Sequence, residues 1–437
     1  MKSKQLLIIM KGMRSLGFAV VAVGLLAAAC NDSESYSAPA GTPYDPSKPV
    51  EFYTFEPDSG GMRTKCIIKG SNFGTDIENI KVLFDKTREA RVISSSGDMI
   101  YCLVPKQPAG NNSVSVVIGE DTVTCADKTF GYSVKESVTT VVGKNDVAGD
   151  EDGTLTGARF RWTCGLGMVT GNNLLISERF DWRIRMAALN ENTVVTLVTG
   201  IQAGKPAITK DGKTAYFIRY GTPHTVYKLE QDNLWLPRTL AEDIPGFEGA
   251  IQCACFGPDE EWLYFRDNAG KFGRINLEDL GIVELLNPNC GSTINATDNH
   301  LVWHPQMNCF LMSEEFAHGI YKVSLDGKTV EEYVGFKGVG GQDGYLDEAQ
   351  MTSPMGMSVD RDGNIYVAQV QCHTIRKIAY PSGLVSTIAG SYGVAGAVDG
   401  VPYLSRFNGP WDIVMDEEEN FYIGQFWGVS VRKLAIE

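Results

Sequence analysis

Apolar and polar residues alternate along most of the chain in short runs, which Gly, Asn, Asp and Pro interrupt. The run NSVSVVIG at 112–119 alternates strictly, and KVLFD at 81–85 and MIYCLVP at 99–105 are further short apolar runs. A period of two predicts β-strands, because successive side chains of a strand point to opposite faces. Long stretches with the period of an amphipathic helix are hard to find, so the pattern predicts an all-β protein.

Residues 50–134 form the first unit of this pattern. Seven or so short strands within about 85 residues favour a small β-sandwich. The strand and Gly-bounded turn KCIIKGSNFG at 65–74, the segment CLVP at 102–105, and Phe130 with Tyr132 resemble the IPT/TIG immunoglobulin-like family. The resemblance implies an Ig-like domain that acts as a rigid spacer in a surface protein.

A different pattern repeats through residues 135–437. The clearest copy, 351–390, reads as an inner strand, an Asp-Gly turn, two middle strands and an outer strand, and residues 160–187 and 407–434 fit the same template. Six tight turns recur at spacings of about 40 to 57 residues, the length of a four-stranded propeller blade. The repeats resemble the NHL-repeat family, and together with the spacing they predict a six-bladed β-propeller.

One loop occurs in three similar copies: VAGDEDGTLTGARF at 147–160, GVGGQDGYLDEAQM at 338–351 and VAGAVDGVPYLSRF at 394–407. The segment VTTVVG at 138–143 precedes the first copy as VSTIAG at 385–390 precedes the last, although the last repeat holds only three strands. We therefore predict that 138–143 supplies the fourth strand of the last blade, which closes the ring and removes two free sheet edges. The Asp-Gly pairs favour tight turns, and the Phe or Met that ends each loop is expected to pack between blades.

The first residues carry a targeting signal. Basic residues precede an apolar run at 16–29 that is short for a membrane span and ends directly before Cys30. The small residues in LLAAAC resemble a bacterial lipobox, which implies a signal peptide over 1–29 and a lipid on Cys30; an ordinary cleaved signal peptide is the alternative. The polar segment 30–49, with Ser and Pro, predicts a flexible tether.

The charge of the chain excludes one class of partner. The net charge is −14, and residues 1–29 hold four basic and no acidic residues, so removing them gives −14 − 4 = −18. An acidic surface repels phosphate backbones, and nucleic acid is therefore not expected as a partner.

The cysteines do not indicate a metal or redox site. Ten are present, and no two are spaced as C-x-x-C, which leaves zinc-ribbon and thioredoxin-type sites without support. Cys253 and Cys255 are predicted to point to one face of a strand as small buried hydrophobes. Whether Cys66, Cys102 and Cys125 form a disulfide stays open, with free buried thiols favoured.

No catalytic motif is present, and no cofactor or metal is predicted. G-x-S-x-G and H-E-x-x-H are missing, and DRDGNIY at 360–366 is interpreted as a β-turn rather than a calcium loop. Aligning the repeats places His224, His318 and His373 at one equivalent position, which favours a role in blade packing. His300 and His304 are four apart on one strand, about 13 Å, too far to bind a single metal ion.

Aromatic and polar residues gather on one predicted face of the propeller. The turns between second and third strands and the connections between blades emerge on that face. Flat rings stack on the C–H faces of sugars, and planar carboxylates and guanidinium groups bind hydroxyl pairs. Trp262 and Trp303 lie in strands and are predicted to belong to the core, and Trp162 is a further candidate. The predicted ligand-binding residues are Trp182, Trp411, Trp427, Phe180, Tyr220, Arg219, Phe316 and Glu178.

The combination of lipid anchor, tether, Ig-like spacer and propeller resembles Bacteroidetes-type surface lipoproteins of glycan-uptake systems. It implies a non-catalytic protein on the outward face of the outer membrane, with a polysaccharide or oligosaccharide as ligand and components of a glycan transporter as partners. Two alternatives remain: a propeller lyase or hydrolase acting on a glycan or lactone, and a protein-binding adhesin or scaffold. Convergent His and carboxylate side chains favour the enzyme, exposed Trp rings the glycan, and a broad apolar patch the protein partner.

Overall fold

The computed structural model describes residues 41–107, 109–291 and 298–436. The signal peptide predicted over 1–29 and the lipidation predicted at Cys30 lie outside these ranges. Within them, every regular element is a β-strand apart from two short 3-10 helices, Ile77–Asn79 and Gln231–Asn233. The all-β fold class is thereby confirmed.

The first domain contains two sheets that enclose an apolar core. Strand order is β1-β3-β6-β5-β4-β8-β9 in the larger sheet and β2-β10-β7 in the smaller. The strands are β1 Glu51–Glu56, β2 Ser59–Gly60, β3 Lys65–Ser71, β4 Ile80–Phe84, β5 Arg88–Ser95, β6 Met99–Leu103, β7 Gly110–Asn112, β8 Val114–Ile118, β9 Asp121–Thr124 and β10 Phe130–Tyr132.

The alternation in the sequence decides which side chains enter this core. In β3, Cys66 and Ile68 are buried while Lys65 and Lys69 point to solvent, as a period of two requires. Cys66 faces Cys102 across the β3–β6 pairing. All nine described cysteines are free, and all but Cys255 are buried.

Part of the predicted tether belongs to the first domain. The backbone N–H of Thr42 donates to the carbonyl of Ser96, and that of Asp45 donates to the side chain of Asn72. The Asn72 amide in turn donates to the carbonyls of Asp45 and Lys48. Residues 42–48 therefore pack on the sandwich as part of the first domain. Asn72 forms hydrogen bonds with the backbone of Asp45 and Lys48, which in a free segment would be bonded to water.

The second domain consists of six sheets. Each sheet contains four consecutive strands, except that β11 joins the last sheet and β28 extends the fourth. The strands are β11 Glu136–Gly143, β12 Gly165–Val169, β13 Asn173–Glu178, β14 Arg183–Ala188, β15 Thr193–Thr199, β16 Ala207–Ile208, β17 Thr214–Ile218, β18 Val226–Glu230, β19 Pro237–Ala241, β20 Cys255–Phe256, β21 Trp262–Arg266, β22 Phe272–Asn276, β23 Val283–Asn287, β24 Asn299–His304, β25 Cys309–Glu314, β26 Gly319–Ser324, β27 Val330–Val339, β28 Gln350–Met351, β29 Pro354–Val359, β30 Ile365–Gln369, β31 Thr374–Ile378, β32 Val385–Gly390, β33 Pro410–Met415, β34 Phe421–Gln425 and β35 Ser430–Ile436.

The six sheets are the blades of a closed propeller. Their innermost strands β12, β16, β20, β24, β29 and β33 each contact the next, and β33 contacts β12. The last blade is completed by β11, which pairs antiparallel with β35 so that Val138 lies opposite Leu434. The predicted ring closure by 138–143 is confirmed, and it pairs two strand edges that would otherwise be free.

The three similar loops share one set of contacts. In each, the Asp of the Asp-Gly pair accepts hydrogen bonds from a buried Arg of the third strand and a Thr of the fourth strand, and the loop ends in a buried Phe or Met. The Arg–Asp pairs are Arg185–Asp152 at 2.6 Å, Arg376–Asp343 at 2.9 Å and Arg432–Asp399 at 2.5 Å, with Thr196, Thr387 and Thr140 as the hydroxyl partners. The loops therefore tie each connection to the blade that follows it.

The two faces of the propeller have different neighbours. We call the face with the second-to-third-strand turns and the blade connections the upper face, and the opposite one the lower face. The first domain contacts lower-face turns: Arg88 pairs with Asp362 at 2.5 Å, Arg63 with Glu418, and the Lys106 Nζ donates to the carbonyl of Glu419 at 3.0 Å. The upper face points away from the first domain.

Candidate functional site

A groove of about 440 Å³ opens on the upper face where the closing blade meets the first blade. Two segments line it, the connection that enters the first blade and the turn between β34 and β35. The lining residues are Ala148, Gly149, Arg161, Trp162, Trp427 and Val429. We call this site the tryptophan groove.

Trp427 is held in place by the neighbouring connection. Its indole lies over Gly409, whose φ is 67°, and a Cβ built at Gly409 would approach the Trp427 Cε3 to 2.6 Å. The Gly409 N–H donates to Nδ1 of His373 at 3.1 Å, and the His373 ring lies 5.9 Å from the Trp427 ring, edge to face. Trp427 keeps 43% of its surface exposed.

Trp162 belongs to a layer of packed aromatic rings. Its ring centroid lies 4.8 Å from that of Phe426 and 5.8 Å from that of Phe180. Trp411 stacks against Phe426 from below, at 4.6 Å and an interplanar angle of 25°. Such contacts fix the ring planes, so Trp162 and Trp427 present rigid apolar walls to the groove.

The structure corrects two predicted ligand contacts. Trp411 is only 5% exposed, because Phe426 covers its ring. Glu178 is 1% exposed; its carboxylate accepts the N–H of Arg161 at 2.8 Å, as Gln425 accepts that of Asn408 in the closing blade. Both side chains are packing residues and present no surface to a ligand.

The remaining predicted residues are spread over the upper face. Phe180 is exposed beside Trp162 at the edge of the groove. Trp182 and Phe316 are exposed on turns of the first and fourth blades, outside the groove lining. Arg219 and Tyr220 are half-buried in the second blade.

A polar cluster lies near the ring axis. Arg179 is buried; its guanidinium donates to Gln252 and pairs with Asp298 at 3.1 Å, and it lies over the Tyr220 ring at 4.2 Å. Burial and the charge of Asp298 raise the pKa of the Glu315 carboxyl to about 7. A carboxyl with that pKa can give and take protons near neutral pH, so Glu315 is a candidate for acid–base chemistry.

The histidines confirm a packing role in two blades. His318 and His373 directly precede the third strand with φ of 54° and 62°, and each Nδ1 accepts a backbone N–H, from Ser353 and Gly409. His224 holds the equivalent position in the second blade, because the register shift in the third strand begins two residues later at Val226, as it begins at Ile375 two residues after His373. Its contact differs, since its Nδ1 lies 3.0 Å from the carbonyl of Arg219.

His300 and His304 have separate surroundings. His300 is buried with its Nδ1 3.6 Å from a carboxylate oxygen of Asp412, whereas His304 bonds the carbonyl of Gly363. In the described ranges no three His, Cys, Asp or Glu side chains are arranged to hold a metal ion. Nor does that part of the chain contain a helix long and apolar enough to cross a membrane.

Arg161 and Phe426 are site residues that are not among the residues predicted from the sequence. Arg161-Trp162 directly follows the Phe that ends the first loop copy, as Asn408-Gly409 follows the Phe that ends the last. This register was a usable signal, since it places both pairs at the upper face. The groove thus combines two indole walls with a guanidinium that is half-exposed and lies 3.9 Å from Asp181.

Comparison with known proteins supports the two-domain architecture. The family model described as IPT/TIG domain matches residues 51–132, which confirms the prediction for the first domain. A structural genomics protein of unknown function from Bacteroides thetaiotaomicron VPI-5482 is 35% identical, with a TM-score of 0.82, over 91% of this chain and 100% of that chain. No curated protein matches the chain.

Two further solved structures share the fold. One is an auxiliary nutrient binding protein from Bacteroides thetaiotaomicron VPI-5482, 24% identical over 90% of this chain and 99% of that chain, with a TM-score of 0.59. The other, an auxiliary nutrient binding protein from Bacteroides ovatus ATCC 8483, is 22% identical over 91% of this chain and 100% of that chain, with a TM-score of 0.62.

Proposed function

This chain belongs to the same protein family as the 35%-identical Bacteroides thetaiotaomicron protein, and we propose that it is a non-catalytic, glycan-binding surface lipoprotein. The ligand is a polysaccharide or oligosaccharide held on the upper face of the propeller. Cys30 carries the lipid anchor in the outer membrane, and components of an outer-membrane glycan transporter are the partners.

The tryptophan groove carries this proposal. Trp427 is exposed and supported from behind by Gly409 and His373, while Trp162 is supported by Phe180 and Phe426. Pre-ordered rings offer stacking surface to a sugar with little loss of side-chain entropy on binding. Arg161 at the same groove can donate paired hydrogen bonds to ring hydroxyls.

The two Bacteroides structures with the same fold support a ligand-binding role. Both are called auxiliary nutrient binding proteins. A nutrient-binding role for this chain is consistent with a ligand groove and with the lack of a recognisable catalytic motif. The glycan class of the nutrient is our inference from the aromatic groove.

The position of the first domain also supports a binding role. It contacts the lower face through Arg63, Arg88 and Lys106, so the groove points away from it. In a protein anchored through its N-terminal end, this arrangement directs the groove away from the membrane. An Ig-like spacer in this position exposes the groove to polysaccharide.

Affinity electrophoresis against a polysaccharide panel tests the proposal. We expect a polysaccharide to retard the wild type, and Trp427→Ala and Trp162→Ala to lose at least tenfold in affinity, about 1.4 kcal/mol each. Trp182→Ala, which removes an equally exposed ring outside the groove, is expected to bind like wild type. If Trp182→Ala loses polysaccharide binding while both groove variants keep it, the binding site lies on the first blade instead. A wild type that no polysaccharide retards would contradict the glycan proposal.

The enzymatic alternative has one observation in its favour, the carboxyl of Glu315 with its pKa near 7 beside Asp298. The same panel separates the two functions. A non-catalytic protein leaves each polysaccharide intact, whereas a hydrolase or lyase releases new chain ends. Release of reducing ends by the wild type and not by Glu315→Gln would establish an enzyme.

A further inference from the structure

A second cavity, the axial cavity, lies on the ring axis and opens on the lower face. Its volume is about 610 Å³. It is lined mainly by apolar side chains of the inner strands, and all six blades contribute. One lining residue from each blade in turn is Leu166, Ala207, Phe256, Leu301, Met357 and Ile413.

The inner end of the axial cavity is closed by an ion pair. Lys205, on the segment before β16, lines the cavity, and its Nζ lies 2.5 Å from the Asp412 carboxylate and 3.3 Å from the carbonyl of Ile413. The Asp412 carboxylate is buried and also accepts the N–H of Leu166 at 2.8 Å. His300 approaches it from the fourth blade, so groups of alternate blades meet on the axis.

This arrangement leaves one donor for a ligand. A lysine ammonium has three N–H groups, and Asp412 and Ile413 occupy two of them. The Lys205 side chain is 12% exposed and borders the cavity, so the third N–H can reach a molecule inside it. Because Asp412 already neutralises the ammonium, the site has no net charge with which to favour an anion.

The apolar walls of the axial cavity determine the polarity of the rest of the ligand. Apolar walls bury apolar groups favourably, and they penalise hydroxyl-rich or charged molecules whose polar groups would lose water without replacement. A sugar suits the tryptophan groove but not this cavity. Apart from Lys205 and Ser358, the polar lining residues lie in the turns that follow the inner strands of the fourth and fifth blades, at Gln306, Asp360 and Arg361.

We propose that the axial cavity is a binding site for a neutral, largely apolar small molecule that presents one hydrogen-bond acceptor, such as a carbonyl oxygen, to Lys205. The site is independent of the glycan proposal, since the two cavities share no lining residue. The molecule enters from the lower face with its apolar part against the inner strands.

The fluorescent ketone 6-propionyl-2-dimethylaminonaphthalene is a suitable probe, since it is neutral and apolar and carries one carbonyl. We expect saturable binding to the full chain with a blue shift in emission. The analogue 2-dimethylaminonaphthalene lacks the acceptor and is expected to bind about tenfold more weakly, the scale of one hydrogen bond to a charged donor.

Two pairs of variants locate the bound probe. Ser358 lines the cavity on β29, and Ser358→Trp is expected to abolish binding, whereas Ser386→Trp on the outer strand of the same blade leaves it unchanged. Trp427→Ala, which opens the tryptophan groove, should also leave it unchanged. Loss of probe binding in Trp427→Ala, retention in Ser358→Trp, or a wild type that does not bind would each overturn the proposal.

A test of Lys205 requires a variant that does not leave the buried carboxylate of Asp412 without a partner. The double change Lys205→Met with Asp412→Asn removes both charges together. It is expected to weaken the ketone about tenfold and to leave the analogue unchanged, with folding checked by circular dichroism. Equal weakening of both probes would contradict the hydrogen bond to Lys205. If the double variant does not fold, the affinities of the wild type for the two probes test the hydrogen bond, and equal affinity for the ketone and the analogue would contradict it.

Discussion

Single residues set the geometry of the tryptophan groove. Gly409 lies beneath Trp427 in a left-handed conformation, and its N–H is held by His373. Burial lowers the pKa of the His373 imidazole, which keeps Nδ1 free to accept that hydrogen bond at neutral pH. The exposed indole therefore depends on two residues that a ligand never touches.

Replacing Gly409 tests that dependence. Gly409→Ala adds a Cβ against the Trp427 ring at positive φ, and we expect weaker polysaccharide binding, by about fivefold or more, with unfolding free energy lowered by about 1 kcal/mol. Gly393→Ala is the matched control, since Gly393 has a φ of 71° and no atom near the added Cβ. Affinity electrophoresis and thermal unfolding of both variants separate backbone strain from displacement of the ring, and equal binding by the two would show that Gly409 does not position Trp427.

At the scale of elements, each repeated loop is held to its blade by an Asp–Arg ion pair, which we call a clamp. The Asp-Gly pairs predict tight turns, and the Phe or Met that ends each loop predicts packing between blades. The structure adds the ion pair between the loop Asp and the buried Arg of the third strand. The residues were visible as the Asp-Gly pairs and the Arg of TIRK. The sequence does not show that these residues pair, because Asp343 and Arg376 are 33 residues apart and meet only when the loop folds over its blade.

Loss of one clamp should destabilise the propeller. Asp343→Ala leaves the guanidinium of Arg376 without its carboxylate, and we expect the unfolding free energy to fall by about 2 kcal/mol, since Asp343 itself is half-exposed and water replaces part of the interaction. Asp347→Ala, an exposed position of the same loop, should change it by less than about 0.5 kcal/mol. Denaturant titration of the two variants checks the difference, and equal effects would mean that the ion pair contributes nothing.

The whole molecule is a ring with a domain attached to its lower face. Only three residues separate β10 from β11, and β11 is itself the closing strand of the ring. Ion pairs from Arg63 and Arg88 then hold the first domain on the turns of the last two blades. The connection between the two domains and the strand that closes the ring are therefore adjacent in the chain.

Removing the contacts between the domains should not affect the groove. In Arg63→Ala/Arg88→Ala/Lys106→Ala we expect a larger radius of gyration by small-angle scattering, because the three contacts together restrict the orientation of the first domain. Polysaccharide retention should equal that of wild type, since the groove is on the upper face. A parallel loss of binding would show that the first domain contributes to the site.

Much of the fold was accessible from the sequence, because it follows from local and repeated patterns. A period of two specifies strands, a blade-length repeat specifies a propeller, and a fourth strand missing from the last blade but present before the first specifies how the ring closes. The site was predictable only in part. Trp427 and Phe180 are exposed as expected, but the burial of Trp411 and Glu178 depends on Phe426 and Arg161, which come from other segments of the ring.

The sequence by itself therefore determined the strands, the two domains and the face on which the aromatic residues emerge. Tertiary structure alone decided which of those rings remain exposed, and it brought Lys205 and Asp412 together across the axis although they are 207 residues apart. The physical reason is that local pattern fixes the direction of a side chain relative to its own strand. Exposure and pairing depend on segments that are distant in the chain, such as the β34–β35 turn that covers Trp411 and the sixth-blade carboxylate that pairs with Lys205. These segments come together only when the strands pack into blades and the six blades close around the axis.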